Sequence, residues 1–234
     1  MNKVHRSNNL AIRIPLTRER ILLAASELAD KNGLASVSMR QVAQSLGVEA
    51  MSLYKYVSSK DDLLDGLVEI VAFQMDVPAL DSGWKEAMLL RSHSERRILN
   101  LHPWATSLFE SRSGTGPTRL SHQERLIGII RRAGFSIELG YNLIVAVNSF
   151  VYGFVIQEQT WYASPEDRPR AVSQSRPTIT NDEYPYVYEM MTFIMAKIGE
   201  NAEFGSRTEA GYVANFEFGL KLILDGFERT MQKK

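Results

Sequence analysis

Apolar residues recur along the chain at spacings of three and four, and the strict alternation of a half-buried strand is absent throughout. Ile21, Ala24, Ala25, Leu28 and Ala29 form one such stripe. Thr17 opens it as a helix N-cap, and Lys31-Asn32-Gly33 closes it, with Gly33 suited to the left-handed position after a helix. A second stripe, Val42, Ala43 and Leu46, follows Ser38-x-x-Gln41, a capping-box spacing in which hydroxyl and carboxamide each satisfy a free amide. Beyond Gly47 a third stripe puts Ala50, Leu53 and Val57 on one side. Glu49 is expected in the first turn of that helix, where the helix dipole favours a carboxylate. Ser59-x-x-Asp62 repeats the capping box before a fourth stripe of Leu63, Leu64, Leu67, Val68 and Val71. The segment 76–83, with Pro78, breaks the pattern, and the connection between two domains is expected within it or just before it.

Further helices are expected over 84–101, 103–111, 120–133, 136–161, 186–199 and 207–230. The stretch 164–185 carries four prolines and many polar residues, so it reads as a partly mobile loop. No internal repeat is present. The fold class is therefore all-α, with a small three-helix unit and its linking helix at 16–75 and a larger helical domain at 83–234. Residues 1–15 read as a flexible basic arm, closed by a proline that disfavours helix at Ile14. Two stretches, 139–156 and 215–227, are apolar on more than one side, and a helix hydrophobic nearly all round must be covered on both sides. Gly140, Ala146 and Gly153 allow close approach, so a four-helix interface between two copies is expected, against the alternative of a monomer's central core helices.

Composition narrows the chemistry. The 234 residues include no cysteine, which excludes disulfides, thiolate zinc sites and a cysteine nucleophile. The four histidines are scattered, and no HExxH, GxSxG or glycine-rich phosphate loop occurs, so no catalytic site, metal or cofactor is expected. The first fifteen residues lack the apolar core of a secretory signal. The longest apolar run, 143–156, is interrupted by Asn148 and Ser149 and falls short of a membrane span. A soluble, cytoplasmic protein with no membrane partner is expected. Charge is divided unevenly: residues 1–60 hold nine Lys/Arg against four acids, and the remainder 18 against 23. A basic head on an acidic body fits a polyanion-binding module, although three of the nine (Lys3, Arg6, Arg13) lie in the arm.

The second and third stripes meet at Leu46-Gly47-Val48, the layout of a helix-turn-helix whose second helix enters the DNA major groove. Over residues 16–70 the chain resembles the DNA-binding domain of the tetracycline-repressor (TetR) family of bacterial transcription regulators. The resemblance is carried by the Gly33 stop, Ser38-Met39-Arg40-x-Val42-Ala43, Leu46-Gly47-Val48, Leu53-Tyr54-x-Tyr56 and Ser59-Lys60-x-x-Leu63-Leu64. HPWATSLFESRSGTGP, AGFSIELGYN, VYGF and NFEFGLKLILDGFE are similar to the effector-binding domain of the tetracycline-repressor subgroup. The resemblance implies a homodimeric repressor, not an enzyme, that binds a near-palindromic double-stranded operator and releases it when a small molecule binds. Two other readings stay open: an effector-independent regulator or activator, and a helical small-molecule-binding protein or enzyme.

Carried over residue by residue, the resemblance assigns DNA contact to Ser38, Arg40, Glu49, Ala50, Met51, Ser52, Tyr54, Lys55, Tyr56 and Lys60. Hydroxyls of Ser52, Tyr54 and Tyr56 and the charges of Arg40 and Lys60 suit phosphates, which fix register without reading sequence. Lys55 suits guanine, Glu49 a cytosine amino group, and Met51 or Ala50 a thymine methyl. The bland alternative is half-buried tyrosines beside a solvated lysine face. In the body, His102, Trp104, Phe109, Val147, Phe150, Phe154 and Gln157 are the candidate contacts to an effector that is largely apolar. Helical spacing also suits plain core for most of these. His102 matches the tetracycline repressor's metal-chelating histidine, yet also reads as a helix-ending residue bonded to backbone. Gln157 stands where that repressor has an acidic residue, with Glu158 adjacent, which argues against a magnesium–tetracycline complex.

Overall fold

The computed structural model describes residues 15–112, 116–162, 180–198 and 209–232; the basic arm and most of the expected 164–185 loop lie outside them. Among the described residues the regular structure is helical. In chain order the helices are α1 Arg18–Asn32, α2 Met39–Leu46, α3 Ala50–Leu53, α4 Lys60–Phe73, α5 Trp84–Leu101, α6 Ala105–Ser111, α7 Pro117–Arg132, α8 Ile137–Tyr162, α9 Pro185–Ile198 and α10 Glu209–Gln232, with a 3₁₀ turn at Leu34–Ser36. The chain divides into two compact units, Met1–Ile70 and Val71–Lys234. That division falls inside α4, the helix read from the sequence as linking the two domains. The helix runs unbroken to Phe73, and its last turns carry fully buried residues, Val71 and Ala72, on the far side of the division.

The first unit is assembled by caps and small residues. Thr17 Oγ1 accepts the Arg20 amide at 3.2 Å and opens α1, which buries Ile21, Leu22, Ala25 and Ala29. Gly33 ends it at φ 77°, ψ 162°, a glycine-favoured region but an extended ψ, so the chain leaves α1 straight rather than through the expected left-handed cap. Ser38 Oγ accepts the Gln41 amide at 3.2 Å and opens α2. Gly47 then takes a true left-handed conformation, φ 67°, ψ 34°, and turns the chain into α3. A Cβ at Gly66 would lie 2.4 Å from Leu22 Cδ2, so α4 crosses α1 closely enough that any larger residue there would displace the Leu22 side chain.

The second unit is built on α8, a 26-residue helix that packs against α5, α6, α7 and α10. Its inner face is Leu143, Val147, Val151 and Val155, all fully buried. By length and composition, Ile137–Thr160 is also apolar enough to cross a membrane, contrary to the expectation that Asn148 and Ser149 interrupt the run. Both are uncharged and the helix passes through them without a break. Only 28% of an 18-residue apolar window within it is buried inside the chain. Two ionic ties hold the bundle. Glu158, nearly fully buried, accepts from Arg96 Nε at 2.9 Å and from Asn100 Nδ2 at 2.8 Å, joining α8 to α5. Lys85 joins the start of α5 to Asp225 and Glu228 of α10 at 2.8 and 2.6 Å.

Candidate DNA interface and effector cavity

Of the helix-turn-helix residues, α3 is the shortest element, four residues continued as turns by amides of Tyr56 and Val57 bonding the Leu53 carbonyl, both at 2.9 Å. A single helical turn has no stability of its own. It is held from below by Leu53 and Val57, both fully buried, and from behind by Arg18, whose Nη1 donates to the Tyr56 carbonyl at 2.9 Å. The other end of the Arg18 guanidinium pairs with Asp62. Asp62 also accepts from the Ser58 amide at 2.7 Å and donates its own amide to Ser59 Oγ at 3.1 Å. One side chain therefore ties the first helix to the end of α3 and to the N-terminus of α4. The Arg18 hydrogen bond, with help from Ser58, lowers the Asp62 carboxyl to about 2, against the cost of its partial burial.

Around that anchor the exposed residues are Arg40, Glu49, Met51, Tyr54, Lys55, Tyr56 and Lys60, while Ser38, Ala50 and Ser52 are half-buried. Glu49 is the N-cap of α3 rather than a residue of its first turn, and its side chain makes no capping hydrogen bond. Met51 is 76% exposed, an unfavourable place for a thioether unless something covers it. Asp62 is expected only as part of a capping box, and Arg18, which pairs with it to position α3, is absent from the sequence expectation. They lie 44 residues apart, and no local pattern links them.

The second unit contains a cavity of about 120 Å³ between the end of α4, the 75–78 segment, α5, α6, α7 and α8. Of the candidate effector contacts, Phe109 lines it; His102, Trp104, Val147, Phe150, Phe154 and Gln157 do not. Phe150 and Phe154 pack with Phe216 at centroid separations of 5.4 and 5.2 Å, under the Arg96 guanidinium, and so cement α8 to α10. His102 Nε2 meets the Gln74 carboxamide (3.1 and 3.3 Å to its two polar atoms) and stands edge-on to Trp104. Gln157 is exposed, and the acid beside it, Glu158, is the one that turns inward. No group of three His, Asp or Glu side chains able to hold a metal occurs among the described residues.

Polar residues that sequence reasoning passed over line the cavity instead. Arg91 and Glu95 share one face of α5, and Ile144, Asn148 and Tyr152 one face of α8. Glu95, only 4% exposed, accepts from Arg91 Nη2 at 2.7 Å, and burial pushes its carboxyl up while Arg91 and Arg119 pull it down. Burial and the neighbouring Glu95 charge also push the Tyr152 phenol up, so it stays neutral. A signal was present: Asn148 sits in an otherwise apolar helix, four residues from Ile144 and from Tyr152. The same residue interrupts the apolar run in sequence and, in the fold, lines the cavity.

Exposed basic and hydroxyl side chains around a buried-anchored second helix, ahead of a helical body with a lined cavity, define a helix-turn-helix regulator with a separate small-molecule domain. Comparison with known proteins places it more closely. Residues 21–67 match the model of bacterial regulatory proteins of the tetR family, and residues 77–231 match the tetracyclin repressor-like C-terminal domain. The chain belongs to the TetR family: it is a DNA-binding transcriptional regulator, not an enzyme. It is 30% identical over 223 residues to the HTH-type transcriptional repressor DrrR1 of Streptomyces coeruleorubidus, covering 91% of this chain and 77% of that one. It is likewise 30% identical over 218 residues to the class D tetracycline repressor of Escherichia coli, covering 91% and 89%. Among solved structures, the TetR-family protein ActR of Streptomyces coelicolor in complex with (S)-DNPA superposes with a TM-score of 0.74 at 25% identity, over 93% of this chain and 99% of that one.

Proposed function

We propose that the protein is a homodimeric repressor that holds a near-palindromic operator and leaves it when a small-molecule effector enters the cavity of the second unit. The observation that carries this reading is the exposed set Met51, Tyr54, Lys55 and Tyr56 on α3 and the turns that continue it, anchored by Leu53 and Val57, with exposed Lys60 at the start of α4. Arg40, Ser38, Ser52, Tyr54, Tyr56 and Lys60 are assigned to phosphates, and Glu49, Ala50, Met51 and Lys55 to base edges. The small-molecule complex of ActR, in a relative of matching length, supports the effector role. Phe109 is assigned to effector contact, while Phe150 and Phe154 are assigned to packing.

Pairing of two copies is supported by the outer faces of two helices. On α8 the apolar residues Tyr141, Val145 and Ile156 are exposed, and a Cβ at Gly153 would meet nothing within 4 Å. On α10, Phe216, Leu220 and Leu224 face inward while Phe218 and Leu222 are 68% and 53% exposed. Such faces suit a second copy, and α8 is assigned to this interface rather than to a bilayer. The test of the whole reading is selection of bound duplexes from a random pool, followed by a screen for small molecules that release the selected site. A palindromic winner released by a ligand is expected. Selection that yields no palindrome would reject the reading, and a palindrome that no ligand releases would favour an effector-independent regulator.

A further inference from the structure

Three residues that line the cavity each carry a buried polar atom without a hydrogen-bond partner: Arg91 Nη1, Glu95 Oε2 and Asn148 Oδ1. Leaving buried donors and acceptors unmet destabilises the protein that carries them, by on the order of 1–3 kcal/mol for each group. Buried polar groups are almost always paired, so three on one cavity wall point to a molecule that completes them. Their types specify its head. Glu95 Oε2 and Asn148 Oδ1 accept, and Arg91 Nη1 donates. A hydroxyl does both at once in the smallest space, donating to the carboxylate while accepting from the guanidinium. A second hydroxyl on the adjacent carbon supplies the donor that Asn148 lacks.

Charge narrows the class further. The ionisable lining apart from His122 and Tyr152 comprises Arg91 and Arg119 against Glu95 and Asp76, two of each sign. Arg91 and Glu95 neutralise one another at 2.7 Å, Asp76 is paired with Arg97 at 3.0 Å, and Arg119 donates to the Arg112 carbonyl at 2.8 Å over the Phe109 ring. A cation would lose its hydration here with both carboxylates already paired, and a carboxylate would bring no proton to the two unmet acceptors, Glu95 Oε2 and Asn148 Oδ1. The rest of the wall, with Phe109, Leu126, Met75 and Pro78, is apolar and suits a ring face.

We propose that Glu95, Arg91 and Asn148 form a recognition site for a neutral ring compound with adjacent hydroxyl groups, and that they select this class over carboxylates and amines. The proposal rests on reading the cavity as the effector site, and it adds which chemistry that site accepts. A cavity of about this size takes one substituted ring. The probes are therefore catechol, its dimethyl ether 1,2-dimethoxybenzene, benzoate and benzylamine, titrated calorimetrically into the full-length protein. Catechol is expected to bind, with each of the other three at least about tenfold weaker, the loss expected when a hydrogen bond to a charged group is removed. Glu95→Gln and Asn148→Leu should each weaken catechol by about tenfold or more. Asn148→Leu should leave the unliganded melting temperature unchanged or raised, because it removes an unmet acceptor rather than a contact.

Tighter binding of benzoate or benzylamine than of catechol, lost on filling the cavity with Leu126→Trp, would overturn the proposed class and leave the cavity standing as the effector site. Catechol binding untouched by Glu95→Gln, Asn148→Leu and Leu126→Trp would overturn both. Absence of binding by every probe at millimolar concentration overturns the recognition site as drawn.

Discussion

Lys60 and Lys55 are both exposed lysines on the same unit, and they are expected to fail differently. Lys60 opens α4 beyond the end of the α3 turns, where a charge serves a phosphate. Lys60→Ala should weaken binding to all duplexes alike and reduce the slope of log affinity against log salt by about one. Lys55 follows Tyr54 on the exposed side, and Lys55→Ala should instead relax preference at one operator position, read by repeating the duplex selection with the variant. An unchanged salt slope in the first case, or an unchanged consensus in the second, contradicts the role assigned. At this scale much was legible in advance, because exposed polar side chains on a helix carry their role in their own chemistry. What was not legible was partnership. Glu158 and Gln157 are neighbours in sequence, and only the packing of α8 on α5 says which of them meets Arg96.

Elements depend on such partnerships when they are short. α3 is a single turn, and its place is set by Arg18 bonding the Tyr56 carbonyl while pairing with Asp62 at the start of α4. Asp62 is held at about 2, below the ordinary carboxylate value of about 3.9, so between those values the unfolded chain binds more protons than the folded one. Its contribution is therefore complete above about pH 4 and lost as pH falls toward 2. Thermal melts of the wild type and Asp62→Asn from pH 6 to pH 3 check this: the gap between them should be constant at the upper end and narrow below about pH 4. A gap that stays constant to pH 3 would remove Asp62 from the account of how α3 is held. The hydroxyl caps at Ser38 and Ser59 were readable because each hydroxyl and the amide it accepts from lie within one turn. The bond from Arg18 was not, since its partners are brought together only when α1, α3 and α4 assemble.

The whole molecule raises the question of what covers α8 and α10. Their inner faces are buried within the chain, and their outer faces carry Tyr141, Val145, Phe218 and Leu222 in solvent. A second copy placed there by two-fold symmetry buries the same patch on both partners. Leu222→Asp combined with Tyr141→Asp is expected to give a folded monomer in sedimentation analysis, with operator affinity reduced by more than tenfold because each half-site is then bound alone. Dimers persisting at micromolar concentration in that variant would place the interface elsewhere. The expectation that both helices are apolar on more than one side holds in this detail: residues 216, 220 and 224 form one face of α10, and 218 and 222 the other.

The sequence by itself determined the helical class, the caps and turns of the first unit, and the face of α3 that meets solvent. These depend on spacing within one or two turns, where 3.6-residue periodicity and the conformations open to glycine act locally. Only the tertiary structure decided which polar side chains in the body turn inward. Arg91, Glu95, Asn148 and Glu158 look like solvated or interrupting residues when each helix is read alone. Burial is a property of the neighbours that cover a residue, and here those neighbours come from four other helices.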